Sequence, residues 1–160
     1  MALLFAYGSN LAEDQMDAWC PRYEFLGPAR LDGFRLEFRR RSIRWQGGAA
    51  DVVEVAGEAV WGALYELPDG ELERLDRKEA AGDAYRRREV RVEQGRERRS
   101  AVVYEVIDKE PSEPTPALAY GEAMLRGAAE RGLPAQWRSH LEHRLSELSD
   151  RPKDVSPPPE

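Results

Sequence analysis

The chain is short of the residues that most often carry covalent or metal chemistry. Among its 160 residues Cys20 is the only cysteine, and His140 and His143 are the only histidines. A lone thiol cannot close an internal disulfide, which suits a reducing compartment, so a cytoplasmic protein is expected. The two histidines stand three apart in a stretch with helical spacing. No cysteine or acid completes a zinc pattern around them, and they read as part of a solvated helix face. No run is long and apolar enough to span a bilayer as a helix, and no basic-then-apolar leader precedes Met1-Ala2-Leu3, so no membrane association is expected. A phosphate loop ending in Lys-Ser/Thr is missing, as is the glycine-rich dinucleotide fingerprint. Excess positive charge is missing too. With 24 basic and 30 acidic residues the net charge is −6, which makes nucleic acid a poor general partner.

What is present suits one domain over residues 1–150, followed by a tail, 151–160, whose prolines and charges give it nothing to bury. Leu3 to Tyr7 is a short apolar run bounded by a glycine, hence a buried strand. Leu11, Met16 and Trp19 share one face of a short helix over Asn10 to Trp19, which Pro21 stops. Phe34, Leu36 and Phe38 alternate with Arg35, Glu37 and Arg39, so a half-buried strand with a charged outer face is expected. Gln46-Gly47-Gly48 reads as a turn. Strands follow at Ala49–Val55 and Ala59–Leu67, separated by a tight connection at Gly57. A short helix with Leu72 and Leu75 inward starts at Pro68-Asp69, and a hairpin spans Tyr85–Val92 and Arg99–Ile107 around Gln94-Gly95. Two helices close the sequence, one ended by Gly132 and one begun at Pro134. Six or so strands in the middle with helices at the ends predict an α+β fold, a small mixed β-barrel with flanking helices.

Two segments could bear chemistry. Phe5-Ala6-Tyr7-Gly8-Ser9-Asn10-Leu11 takes a strand into a glycine turn, where successive backbone N–H groups can hold a carboxylate or an oxyanion. Ser9 is not in the Gly-x-Ser-x-Gly elbow of a nucleophile, and an activating histidine would have to come from the last helix. The second segment is Leu75-Asp76-Arg77-Lys78-Glu79. Asp76 and Glu79 are three apart and could divide acid and base work, although carboxylates among alternating charges usually sit in water. For Asp76 a capping or arginine-pairing role is favoured. Glu79 falls at the helix end before Ala80-Ala81-Gly82, where its side chain can project into a cavity. The basic run from Arg35 to Arg44, with Phe34, Phe38 and Trp45, admits a single-strand nucleic-acid reading. The alternation opposes it by turning the aromatics inward and the charges to solvent.

Taken in order, these motifs resemble those of the gamma-glutamylcyclotransferase-like (AIG2-like) family. The correspondence runs through Tyr7-Gly8-Ser9-Asn10-Leu11, the strand Val60 to Leu67, Leu75 to Glu79, Tyr85, Tyr120 and Gly132-Leu133-Pro134, and covers about residues 3 to 145. The family pattern has glycine after its glutamate, whereas this chain has Ala80 and its first glycine at Gly82. The resemblance implies intramolecular aminolysis of a small gamma-glutamyl amino acid or amine, giving 5-oxoproline and the free amino acid or amine without a cofactor. It implies Glu79 as general acid and base, and Tyr7, Gly8, Ser9, Asn10, Leu11 and Tyr120 as the substrate-binding set. The partner implied is a small molecule, with the chain a monomer or homodimer. Alternatives within its reach are a related acyltransferase and a non-catalytic module that binds a small ligand.

Overall fold

Apolar runs and alternating segments become five strands in the computed structural model, which describes residues 1–80 and 82–150. The tail expected to be disordered lies outside the described residues. β1 (Ala2–Ala6) is short; β2 (Glu24–Ser42) and β3 (Gly47–Leu67) form one long hairpin, and β4 (Tyr85–Gln94) and β5 (Glu97–Val106) another. They close a barrel in the order β1-β3-β2-β4-β5, with β1 meeting β5 in parallel at Leu4 and Val102. Two of its seams are narrow, one pair each: Leu4–Val102 between β1 and β5 and Arg30–Glu93 between β2 and β4. Around it stand α1 (Glu13–Trp19), α2 (Glu71–Lys78), α3 (Leu118–Glu130) and α4 (Ala135–Asp150). The architecture is thus the α+β barrel with flanking helices that the pattern predicts. Its core holds the inward residues of all five strands, among them Phe5, Phe34, Phe38, Tyr65 and Val103.

Four local expectations need correction. The barrel has five strands because β3 does not stop at Gly57. It turns a corner there (φ 85°), while pairing with β2 skips from Asp32–Ala59 to Phe34–Glu54. Such a bulge re-aims a long strand without ending it. Gln46, with φ of 58°, makes the hairpin turn, and Gly47 and Gly48 already belong to β3. The first helix is split: a single 3-10 turn covers Ser9–Leu11, Ala12 is extended, and α1 begins at Glu13. Lastly, Glu37 is not on a solvated face. It is buried between Arg35 and Arg39, whose Nε atoms lie 3.2 and 2.7 Å from its carboxylate, in a polar hollow that Trp137 and His140 of α4 also line.

α2 buries Leu72 and Leu75, and its last turn closes when the Glu79 N–H donates to the Leu75 carbonyl at 2.9 Å. Ala80 then takes a left-handed backbone, φ 47°, just past the helix end, where glycine is usual. Left-handed geometry costs a residue with a Cβ about 1–2 kcal/mol. Glycine's greater freedom in the unfolded chain offsets about half of that. Ala80 is exposed, so its methyl has little packing to lose. Ala80→Gly should therefore raise the melting temperature by about 1–4 °C. A thermal melt showing a decrease would mean that the left-handed cost is not expressed here.

Candidate active site

β1 leaves the barrel wall after Ala6, and the chain passes through Tyr7 and Gly8 into the Ser9–Leu11 turn. The turn is closed by Leu11 N–H to Gly8 O and Ala12 N–H to Ser9 O, both 3.1 Å. Gly8 is needed for room. A Cβ there would lie 2.9 Å from the Tyr120 hydroxyl and 3.2 Å from the Ala50 Cβ. Tyr120 reaches the turn from the first part of α3, and its hydroxyl accepts the Ala50 N–H at 2.8 Å and the Ser9 backbone N–H. Tyr85 donates to the Ala50 carbonyl at 3.1 Å, and Tyr7 donates to the carbonyl of Tyr104. Phenols thus satisfy both backbone groups of Ala50. Burial raises the pKa of all three tyrosines, keeping them protonated. Tyr120 accepts through its oxygen and retains its own proton to donate.

The end of α2 meets this turn from the other side. Asn10 Nδ2 donates to Glu79 Oε1 at 3.1 Å, while Lys78 Nζ donates to Asn10 Oδ1 and lies 3.5 Å from Ser9 Oγ. The result is one cavity of about 380 Å³ lined by Tyr7, Gly8, Ser9, Asn10, Glu79 and Tyr120, together with Tyr85 and Tyr104. Of the residues singled out in the sequence, Leu11 does not line it. Leu11 is fully buried, its carbonyl accepts from Arg131 Nε at 3.1 Å, and it packs where Gly127 of α3 comes close. Asp76 also stands outside, accepting from Arg87 Nε at 2.9 Å and from the Tyr104 hydroxyl at 2.6 Å, which is the arginine pairing expected of it.

Three charged cavity residues were not among the site residues proposed from the sequence: Lys78, Arg40 and Arg44. Lys78 looked like one more ion on a charged helix. Arg40 did carry a signal, since it shares the core parity of Phe34, Leu36 and Phe38. Arg44 and Trp45 come from the β2–β3 turn, which bends to the cavity mouth. Neither histidine lines the cavity; His143 pairs with Glu147 at 2.9 Å, and the His140 ring lies 5.1 Å from that of Trp137. Cys20 caps α1 fully buried, its thiol pushed up to about 12 by burial and by its contact with Glu71. Phe34 and Phe38 are in the core and present no stacking platform.

Electrostatics prepare the acid for proton transfer. Burial raises the Glu79 pKa above the ordinary carboxylate range. Lys78, the Asn10 amide, Arg44 and Arg40 pull it back without cancelling the rise. Burial lowers Lys78 to about 8, partly opposed by Glu79. The cavity therefore holds a carboxyl group with raised basicity beside an ammonium that is close to releasing its proton near neutral pH.

Known proteins resemble this chain in sequence and fold. The family model for gamma-glutamyl cyclotransferase, AIG2-like proteins matches residues 4–122. A gamma-glutamylcyclotransferase of Bos taurus is 33% identical over 146 residues, which is 87% of this chain and 76% of that protein. The Homo sapiens protein of the same name is 32% identical with the same coverage. A solved structure described as gamma-glutamyl cyclotransferase superposes with a TM-score of 0.83 at 29% identity, covering 88% of this chain and 86% of that one.

The raised Glu79 pKa has a consequence for stability. Between its unfolded value, about 4.3, and its raised folded value, the native state holds a proton that the unfolded chain has lost. Stability falls as pH rises through that window, and above it the half-buried carboxylate is a net cost. Glu79→Gln should therefore melt higher than wild type at pH 7–8, with the difference shrinking toward zero at pH 4. Equal differences at the two pH values would contradict a raised pKa.

Proposed function

The chain belongs to the gamma-glutamyl cyclotransferase, AIG2-like family, and on that premise we propose that Glu79 and the Tyr7–Asn10 turn carry out the cyclisation of a small gamma-glutamyl compound. The observation that carries this reading is the Asn10–Glu79 hydrogen bond, 3.1 Å long between residues 69 apart in sequence. It sets a basic carboxylate against an amide-rich turn inside one cavity, whose volume of about 380 Å³ lies within the usual range for small-molecule sites.

In the proposed reaction the substrate's α-nitrogen attacks its own γ-carbonyl carbon. The new C–N bond closes a five-membered ring, the original γ-amide C–N bond breaks, and 5-oxoproline leaves with a free amino acid or amine. Nothing is oxidised or reduced, and one proton passes from the attacking to the departing nitrogen. Glu79 takes that proton and returns it. The nucleophile is tethered to its target, so alignment supplies much of the acceleration, with effective molarities of about 10⁵–10⁸ M for well-oriented intramolecular reactions. N–H groups of the Gly8–Asn10 turn and the Tyr120 hydroxyl proton provide donors for the substrate carboxylate or the tetrahedral oxyanion. Lys78, hydrogen-bonded to Asn10, holds positive charge at the same end of the cavity.

Two measurements test these roles. Glu79→Gln should retain the fold and lose 5-oxoproline release by about 10²–10⁴-fold, the usual contribution of a positioned acid–base group. Wild-type turnover in the folded variant would remove Glu79 from the mechanism. The pH profile of kcat/KM should carry an alkaline limb near 8 where Lys78 loses its charge. In Lys78→Arg, which stays charged, that limb should move upward. A limb that does not move belongs to another group.

A further inference from the structure

Arg40 and Arg44 line the cavity, and beyond their longer-range pull on Glu79 neither guanidinium is paired among the described residues. Several other arginines on the barrel are committed, whereas Arg41 and Arg91, also without an ion pair among the described residues, do not line the cavity. Arg35 and Arg39 close on Glu37, Arg86 and Arg88 on Glu105, and Arg87 on Asp76. Among the described residues, the guanidiniums of Arg40 and Arg44 have no carboxylate within ion-pair distance and donate no hydrogen bond. Aromatic faces hold them in place. The Arg40 guanidinium lies 5.4 Å from the Tyr85 ring centroid, and that of Arg44 lies 5.1 Å from Trp19 and 5.7 Å from Trp45. A ring face fixes the plane of a guanidinium by cation–π attraction and consumes none of its N–H donors. Arg131 is the contrast: it too sits over aromatic rings, but its N–H groups are used by Leu11 O and the Tyr23 hydroxyl.

Position says which part of a substrate they meet. Glu79, Lys78 and the turn bind one another at the buried end, where ring closure takes place. Arg44 and its neighbour Ile43, 89% exposed, form the rim. A leaving group departs toward the rim. In a chain of net charge −6, two unpaired guanidiniums lining one cavity, the half-buried Arg40 over Tyr85 and the exposed Arg44 at the rim, make a local site for anions. Each can grip a carboxylate through paired N–H donors. A leaving amine without a carboxylate would cover both charges and match neither.

We propose that Arg40 and Arg44 form an acidic leaving-group subsite, so that gamma-glutamyl compounds are preferred in the order of the carboxylates on their leaving amine: two, then one, then none. This rests on the cyclotransferase reading and adds the substrate class to it. The test is 5-oxoproline release by the full chain from gamma-glutamyl-glutamate, gamma-glutamyl-alanine and gamma-glutamyl-butylamine. Wild type should show at least a 10-fold higher kcat/KM for the glutamate compound than for the butylamine compound, with alanine between. Arg44→Gln and Arg40→Gln should each lower kcat/KM for the glutamate compound at least 10-fold more than for the butylamine compound, chiefly through KM. Arg44→Lys should restore part of the loss. A wild-type enzyme that uses the butylamine compound equally well overturns the subsite, as do variants that lower all three substrates by one factor. No 5-oxoproline from any of the three overturns the cyclotransferase reading itself, and the subsite with it.

Discussion

A single side-chain amide joins the two halves of the cavity. Asn10 accepts from Lys78 through Oδ1 and donates to Glu79 through Nδ2. Lysine can only donate and a carboxylate can only accept, so this amide has one orientation that satisfies both neighbours. The turn after β1 and the last turn of α2 have no strand pairing to bring them together. This amide links them by side-chain hydrogen bonds on both sides. Without it, the half-buried Glu79 carboxylate would lose its neutral donor in a site that already disfavours charge.

The tyrosines around that amide divide the work. Tyr7 and Tyr85 spend their protons on backbone carbonyls of β5 and β3, and so serve chiefly to hold the wall in shape. Tyr120 does the opposite, accepting N–H groups from β3 and from the turn. Of the three, it is the one whose hydroxyl hydrogen is turned away from these contacts. The wall is therefore stiff and the reactive groups few, which suits chemistry in which the substrate brings its own nucleophile.

How much of this was legible depended on how local the cause was. β1, the β4–β5 hairpin and the paired helices α3 and α4 follow from short-range periodicity and turn residues, and they stand where the pattern puts them. Gly57 misled because a corner inside a strand and a turn between strands use the same residue. Glu37 misled because the face it occupies is lined on its far side by α4, about a hundred positions later, and a period of two cannot see that. Within the cavity, Glu79 and the Tyr7–Asn10 segment stood out through motif order. Lys78 and Arg44 did not, since a charge in a charged stretch carries no mark of where its helix or hairpin tip will point. Ala80 was visible as a departure from the family glycine, but its left-handed backbone was visible only in three dimensions.

α3 touches the Gly8–Ala12 segment at two points seven residues apart. Tyr120 meets it at Gly8, and Gly127 meets it so closely that a Cβ would fall 2.3 Å from the Ala12 nitrogen and 2.4 Å from the Leu11 carbonyl carbon. Seven residues make two helical turns, so both contacts come from one face of a rigid rod. The rod acts as a splint along the loop, and neither end can yield without displacing the other. A visiting molecule cannot prise this loop wider to suit itself; it must already have the right outline when it arrives.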